Sequence, residues 1–189
     1  KIILNLKDNE IRLKDNIVLH AAKMLQTNTG VSSGCEILLQ KNIPIGAGLG
    51  GGSSNAATTL IGLNLLWNCK LNTNQLANIG KNLGADVPVF VRGNSASAEG
   101  IGDILSPILL PDIWYLIIVP NLHISTRRIF SHPELTRNSP PIKISALDVA
   151  QITAGVLCGN DCQGVVENLH IEVKEVVEWL KTFGTPRLT

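Results

Sequence analysis

The sequence predicts a mixed α+β protein with two domains. Three observations indicate this: short apolar runs typical of strands, longer stretches with apolar residues at helical spacing, and a proline-bounded seam at Pro107–Pro111. A chain of 189 residues can form one domain or two small ones, and its composition, 44% hydrophobic and 16% charged, is that of a globular protein. We therefore expect an N-terminal domain over 1–107 and a C-terminal domain over 108–189.

In the first domain, alternating strand and helix patterns precede and follow a glycine-rich stretch. The predicted elements are strands at Ile2–Leu6 and Glu36–Gln40 and helices at Asn16–Gln26, Ser53–Trp67 and Asn72–Leu83. The last helix has Asn72 in the N-cap position and Gln75 three residues later, which predicts a capping box.

Further along the chain the patterns predict strands first and helices last. Val87–Arg92 and Ser95–Glu99 are predicted to pair as strands around Gly93-Asn94, and Trp114–Val119 is predicted to be an apolar strand ended by Pro120. Thr136–Ile144 is predicted to be a loop, and the remainder to be helical with a break near Ile171.

Charge and cysteine usage exclude several partner classes. The net charge is +1 with no basic or acidic block, which argues against nucleic acid and membrane partners and favours a small molecule. No apolar run is long enough to span a bilayer. Cys158 and Cys162 form a lone C-x-x-x-C; a redox or metal pair is one interpretation, and reduced thiols in a cytoplasmic protein are the other, which we favour. We predict no protein-bound metal site, and either a monomer or a homodimer.

The most informative stretch is the glycine loop, Pro44–Asn55, which has five glycines in seven residues. Glycines let backbone amides approach a ligand without a Cβ in the way, and the helix predicted to follow directs unpaired N–H groups and its positive dipole end at the same point. The loop therefore predicts a phosphate site, with side-chain donors from Ser53, Ser54 and Asn55. A serine hydroxyl there is also a possible Mg²⁺ ligand.

Three other interpretations of the loop are weaker. The G-x-G-x-x-G at Gly46–Gly51 matches the dinucleotide fingerprint, but Pro44 argues against a strand ending there and no acid lies about twenty residues beyond to hold a ribose. A Walker loop needs lysine where Gly52 stands. A flexible linker would not continue directly into an Ala/Leu-rich helix.

The run P-x-G-A-G-L-G-G-G-S-S-N-A-A at Pro44–Ala57 resembles the central motif of the GHMP kinases, a superfamily of small-molecule kinases. Its three-glycine variant resembles the branch that phosphorylates a cytidine-diphosphate-linked sugar alcohol in the non-mevalonate isoprenoid pathway. Matches to the same branch continue along the chain at Leu83–Phe90, Ala98–Asp103, Trp114-Tyr115, Ile129-Phe130, Pro133–Leu135 and Pro186–Thr189. The resemblance implies a two-domain GHMP fold, with an N-terminal domain like ribosomal protein S5 domain 2, and it implies an ATP-dependent kinase that uses Mg²⁺ with ATP.

The resemblance also assigns roles to residues. It implies that Asp86 is the catalytic aspartate and touches the substrate, where a carboxylate can position an acceptor hydroxyl and take its proton. Alone, an aspartate after Gly-Ala would be interpreted as a helix or turn cap. Arg92 is either a phosphate clamp or a structural arginine. The positions that match the phosphate-binding loop are Pro44, Gly46, Gly48, Gly50, Gly51, Gly52, Ser53, Ser54 and Asn55.

The remaining matches concern the two ends of the substrates. Asn16, Ile17 and Lys41 match the adenine and ribose pocket of the family, although alone they would be a helix cap, a core residue and a surface lysine. Thr126 and Phe130 match positions near the cytidine end, where an aromatic ring can stack on a pyrimidine. Core packing is the other interpretation of Phe130.

The chain also departs from the family pattern. The family's lysine-bearing first strand, its Tyr-His pair and its later glycine-rich segment have no match, and the chain starts at Lys1 without an initiator methionine. We expect the 189 residues to be a portion of a longer enzyme. Two alternatives stay open: another GHMP kinase, of homoserine or mevalonate type, and a non-catalytic nucleotide-binding module of the same fold.

Overall fold

A computed structural model describes residues 1–6, 16–100, 102, 104–112, 114–140 and 159–189. The chain divides into two compact units, which we call unit 1 (Lys1–Leu109) and unit 2 (Leu110–Thr189). None of the helices in the described ranges is both long and apolar enough to cross a bilayer.

Unit 1 begins with a β–α–β arrangement. Strand β1 (Ile2–Leu6) pairs in parallel with β2 (Cys35–Leu39), in a register that places Ile2 opposite Cys35 and Leu6 opposite Leu39. Helix α1 (Ile17–Thr29) makes the crossover that a parallel pair requires, and it ends at Gly30 in the left-handed conformation. The two predicted strands and the first predicted helix are thus confirmed, with the helix beginning one residue later and ending three residues later than predicted.

Three further helices build the core of unit 1 with α1. They are α2 (Gly51–Leu66), α3 (Thr73–Lys81) and α4 (Val87–Arg92). Helix α2 packs on α1 through alanines that are almost fully buried: Ala21, Ala22, Ala56 and Ala57. Small side chains let the two backbones approach closely. Because Ala56 and Ala57 lie within two turns of Gly51, packing fixes α2 close to its first residue. The capping box predicted at Asn72 and Gln75 is present.

The predicted strand at Val87–Arg92 is wrong, because this segment forms α4. Its valines suggested a strand, but Val87 and Val91 are four residues apart and both are buried, which is helical spacing. Pro88 is compatible with the first turn of a helix, and Gly93 ends the helix in the left-handed conformation. Asp86 consequently lies between two helices and not between a helix and a strand.

A hairpin follows α4. Strand β3 (Ala96–Glu99) pairs antiparallel with β4 (Ile104–Pro107), so the partner of the predicted Ser95–Glu99 strand is β4 and not Val87–Arg92. Between the strands, Gly100 and Gly102 have φ angles of 68° and 95°, which glycine adopts without strain. Residues 101 and 103 of the predicted motif lie outside the described residues.

Unit 2 contains three described helices: α5 (Thr126–Phe130), α6 (Asp161–Leu169) and α7 (Ile171–Leu180). The predicted break near Ile171 is confirmed, since His170 is extended between α6 and α7. The core of this unit consists of Ile129, Leu135, Val165, Val166, Val173 and Val177.

Two predictions in unit 2 have other outcomes. Trp114–Val119 is not a strand: its side chains are exposed, Trp114 fully, and no described strand lies beside it to supply the hydrogen bonds that a strand requires. The predicted Thr136–Ile144 loop is irregular as far as residue 140. The rest of that loop, the helical prediction for 145–158 and Cys158 lie outside the described residues.

Candidate active site

The glycine loop leads directly into helix α2. Gly46, Gly48 and Gly50 have φ angles of 75°, 74° and 64°, a region that residues with a side chain rarely adopt. Gly50 is the N-cap residue, so the helix starts at Gly51, two residues earlier than predicted. The loop therefore depends on glycine for its backbone conformation as well as for space.

The first turn of α2 has neither a side-chain cap nor an acidic residue. The first intrahelical bond runs from Ser54 N to Gly50 O at 2.9 Å, so the N–H groups of Gly51, Gly52 and Ser53 have no partner within the helix. A methyl group added at Gly52 would meet no atom within 4 Å. The helix thus presents an accessible positive end, which is the kind of place where proteins bind anions.

Lys41 adds positive charge at the same place. Its Nζ lies 3.5 Å from the position that a methyl group at Gly51 would occupy, and the side chain is half-buried. The structure thus places the Lys41 ammonium beside the start of α2. Its predicted contact with adenine or ribose stays a prediction.

Helix α4 lies against the start of α2. A methyl group at Gly50 would lie 2.8 Å from ring carbons Cε2 and Cζ of Phe90, so the Phe90 ring touches the loop directly. A methyl group at Gly84 would lie 3.9 Å from Ser53 Oγ. These contacts bring the turn that contains Asp86 next to the first turn of α2.

Asp86 occupies the N-cap position of α4 but makes no side-chain cap hydrogen bond. Its φ and ψ angles of −83° and −17° are helical, whereas a capping residue is usually extended. Its side chain is exposed while the following Val87 is 0% exposed. The helix-cap interpretation of this aspartate is thus not what the structure shows, and its carboxylate is available to a ligand.

The β3–β4 hairpin reaches the same turn. A methyl group at Gly102 would lie 3.8 Å from Cβ of Ala85, the residue before Asp86. The three motifs that carry the family resemblance in unit 1, at Pro44–Ala57, Leu83–Phe90 and Ala98–Asp103, are therefore neighbours in space. An exposed carboxylate beside an anion cradle can accept a proton from a hydroxyl group that is held near a bound phosphate.

Asn16 and Ile17 have structural roles at the start of α1. The Asn16 side chain is buried and accepts a hydrogen bond from Val18 N at 3.0 Å, which is a helix cap. Ile17 is partly buried and packs against the core of unit 1. The predicted contact of both residues with a nucleotide stays a prediction.

The other predicted substrate residues lie in unit 2. Thr126 is the first residue of α5 and is exposed. Phe130 is the last residue of α5 and is 60% exposed, whereas its neighbour Ile129 is 3% exposed and belongs to the core. The core-packing interpretation of Phe130 is therefore wrong, and its ring is open to a ligand.

Sequence reasoning assigned no role to two residues that join the site, Phe90 and Gly102. Both belong to motifs that match the family, but their partners are 40 and 17 residues away in sequence, so only tertiary structure shows the contacts. Arg92 is the exposed last residue of α4. In the described part of unit 1 and unit 2, no three His, Cys, Asp or Glu side chains form a group that could hold a metal ion.

Comparison with known proteins relates this geometry to a family. Residues 16–94 match the family described as "GHMP kinases N terminal domain". The curated 4-diphosphocytidyl-2-C-methyl-D-erythritol kinase of Shewanella denitrificans is 48% identical over 176 residues, which is 93% of this chain and 60% of the relative. The enzyme of the same name from Ectopseudomonas mendocina is 46% identical over 195 residues, 97% of this chain and 64% of the relative.

A solved structure gives the same result for the fold. The crystal structure of a 4-(cytidine 5'-diphospho)-2C-methyl-D-erythritol kinase matches with a TM-score of 0.76 and 31% identity, over 95% of this chain and 65% of that one. The chain spans about three fifths of the length of the curated relatives it matches. Its mixture of helices and strands is that of the GHMP kinase fold. The similarity to these kinases extends through both units, and residues 16–94 of this chain form a GHMP kinase N-terminal domain.

Proposed function

We propose that this chain forms part of an ATP-dependent kinase that phosphorylates the 2-hydroxyl of 4-diphosphocytidyl-2-C-methyl-D-erythritol, a step of the non-mevalonate pathway to isoprenoid precursors. The observation that carries the proposal is the meeting of two features in unit 1: the uncapped, acid-free start of α2 and the exposed carboxylate of Asp86. The substrate is supported by the names of the relatives, which are 46–48% identical to this chain.

The loop residues fit the phosphates of ATP. Three glycines in the left-handed conformation and the open space at Gly52 leave a backbone cradle in which Cβ atoms would obstruct a phosphate. The N–H groups of Gly51, Gly52 and Ser53 bind phosphate oxygens, and the Lys41 ammonium neutralises part of their charge. The side-chain hydroxyls of Ser53 and Ser54 and the side-chain amide of Asn55 are proposed to donate further hydrogen bonds to the phosphates. Asn16 and Ile17 are proposed to border the adenine end.

ATP with Mg²⁺, when bound, supplies the phosphoryl group and neutralises its charge. The chain's own part is to hold the acceptor hydroxyl beside Asp86 and to remove its proton. The Asp86 carboxylate accepts a hydrogen bond from the hydroxyl, which orients the oxygen, and then takes the proton as the new bond forms. In unit 2, the exposed ring of Phe130 stacks on cytosine, and Thr126 of the same helix is proposed to contact the cytidine as well.

The proposal extends to the domain boundaries, the location in the cell and the oligomeric state. We propose that 1–107 is the ATP-binding domain and 108–189 the C-terminal domain of the enzyme. The described cysteines, Cys35, Cys69 and Cys162, are free thiols, which supports a cytoplasmic location. Burial raises the pKa of the Cys35 thiol, so this thiol stays protonated at neutral pH. A monomer or a homodimer stays a prediction.

The experiment is a direct comparison of acceptors with the full-length enzyme. ADP release from ATP is measured with 4-diphosphocytidyl-2-C-methyl-D-erythritol, with homoserine and with mevalonate at equal concentrations. Turnover only with the cytidyl acceptor supports the proposal. Turnover with homoserine or mevalonate would assign the chain to another GHMP kinase, and ATP binding without turnover on any acceptor would make it a non-catalytic module.

A further inference from the structure

Arg137 holds three backbone carbonyls of unit 2 with one guanidinium group. Its Nη2 donates to Phe130 O at 2.8 Å and to His132 O at 3.1 Å, and its Nη1 donates to Leu135 O at 3.0 Å. The carbonyl of Phe130, the residue proposed to stack on cytosine, is thus bonded directly to this arginine.

The bonded segment is an arch over residues 129–135, which we call the Phe130 arch. Both of its ends are anchored in the core of unit 2, since Ile129 is 3% and Leu135 is 8% exposed. Phe130, near the start of the arch, is 60% exposed. The ring therefore has little packing of its own, and its position depends on the backbone that carries it.

Arginine suits this arch better than any other residue. Phe130 is the last residue of α5, so its carbonyl has no helical amide to accept from, and His132 and Leu135 lie beyond the end of the helix. A cation at the end of a helix is favoured, and the planar fork of a guanidinium reaches several acceptors at once in a fixed geometry. Lysine keeps the charge but places it at a single point on a flexible stem, so it cannot reproduce the three bonds.

We propose that Arg137 is a positioning residue for the pyrimidine end of the substrate: it fixes the Phe130 arch so that the Phe130 ring is already presented when cytosine arrives. This inference rests on the proposed function, in which Phe130 meets the cytosine. Preorganisation of this kind strengthens binding by reducing the ordering that the ligand must impose, and it leaves the chemical step unchanged.

The first test needs no substrate. Hydrogen exchange of the peptide that covers the Phe130 arch is measured by mass spectrometry in the ligand-free full-length protein. Arg137→Lys should speed exchange in this peptide about tenfold, because local opening becomes easier. Arg128→Lys is the matched control: it changes an exposed arginine of α5 whose side chain makes none of the three bonds, and exchange should stay as in the unmodified protein. Unchanged exchange in Arg137→Lys would overturn the proposal.

The second test is a double-mutant cycle on the KM for the cytidyl acceptor. Arg137→Lys should raise this KM about three- to tenfold and leave kcat and the KM for ATP within about twofold. In the Phe130→Leu background the same change should have no further effect on KM, because the ring through which Arg137 acts is gone. Arg128→Lys should leave all three constants unchanged.

The outcomes separate the two proposals. A KM effect of Arg137→Lys that persists in the Phe130→Leu background would mean that Arg137 does not act through Phe130, and a fall in kcat would mean a role other than positioning. If Phe130→Leu alone leaves KM unchanged while the enzyme turns over, the stacking role of Phe130 and the positioning role of Arg137 both fail, although the kinase proposal survives. If the unmodified enzyme does not phosphorylate the cytidyl acceptor, the proposed function fails, and the positioning role fails with it.

Discussion

Two neighbouring helices of unit 1 start in opposite ways. Helix α3 begins with a complete capping box, in which the Asn72 side chain accepts from Gln75 N at 3.0 Å and the Gln75 side chain accepts from Asn72 N at 2.9 Å. Helix α2 begins at Gly50 with no side-chain bond at all and no acid in its first turn. The chain satisfies the first amides of α3 with its own side chains and gives those of α2 no side-chain cap.

The other two helices of the unit follow the same division. Helix α1 has its cap in Asn16, whereas α4 starts at Asp86, whose carboxylate makes no cap bond. The two uncapped starts, of α2 and α4, belong to the Pro44–Ala57 and Leu83–Phe90 motifs and lie next to each other. A cap contributes about 0.5–2 kcal/mol to stability, so an absent cap at a suitable residue marks a place where binding takes precedence over stability.

The largest effect is expected at the start of α4. Asp86→Asn keeps the shape of the side chain and removes the proton acceptor, so kcat should fall about 10²–10⁴-fold while ATP affinity is retained. Single-turnover phosphorylation by the full-length enzyme, with ATP binding measured by calorimetry, tests this. Near-normal turnover would remove Asp86 from the mechanism, and an equal loss of ATP binding would make it a structural residue.

The second prediction fills the open start of α2 with charge. Gly52→Glu places a carboxylate where a ligand anion belongs, so ATP affinity should fall on the order of 100-fold by like-charge repulsion. The same carboxylate should stabilise the fold by about 0.3–1 kcal/mol, because it complements the helix dipole. Calorimetry and urea unfolding measure the two effects.

Gly62→Glu is the matched control for this change. Gly62 lies near the other end of α2, and a side chain there would also meet no atom within 4 Å. ATP affinity should be unaffected. If Gly62→Glu weakened ATP binding as much as Gly52→Glu does, the start of α2 would not be the phosphate site.

The smallest effect is expected at the capped helix. Asn72→Ala removes the capping box of α3 and should lower the free energy of unfolding by about 1 kcal/mol, with ATP affinity unchanged. Urea denaturation of both proteins measures the loss. An Asn72→Ala protein with an unchanged free energy of unfolding but weaker ATP binding would contradict the prediction, because the capped start of α3 would then serve binding and not stability.

Local signals in the sequence predicted much of unit 1 because they are short in range. Asn72 and Gln75 are three residues apart, and the glycine loop is contiguous with α2, so both were found without tertiary information. Val87–Arg92 was mistaken for a strand because its β-branched composition outweighed the helical signals of Pro88 and Gly93. Trp114–Val119 shows the same limit, since an apolar run specifies a strand only where a neighbouring strand is present.

The candidate site divides along the same line. The loop and Asp86 could be recognised from motifs, but the contact of Phe90 with Gly50 depends on how α4 packs against α2. The exposure of Phe130 also could not be predicted, because one residue of sequence separates it from the buried Ile129. Lys41 was predicted to belong to the nucleotide site, but which end of the nucleotide it faces depends on the path of the chain before the loop.

The buried alanines between α1 and α2 affect how much of the glycine loop has to become ordered when a ligand binds. A glycine-rich segment loses more backbone entropy on ordering than any other, which opposes binding. Here Ala56 and Ala57 are buried in the core that α1 and α2 share, which holds the helical half of the motif in place. In the proposed kinase, the backbone that nucleotide binding has to order is therefore the part of the motif before Gly51, because packing already fixes the helical part that carries the amides of Gly51, Gly52 and Ser53.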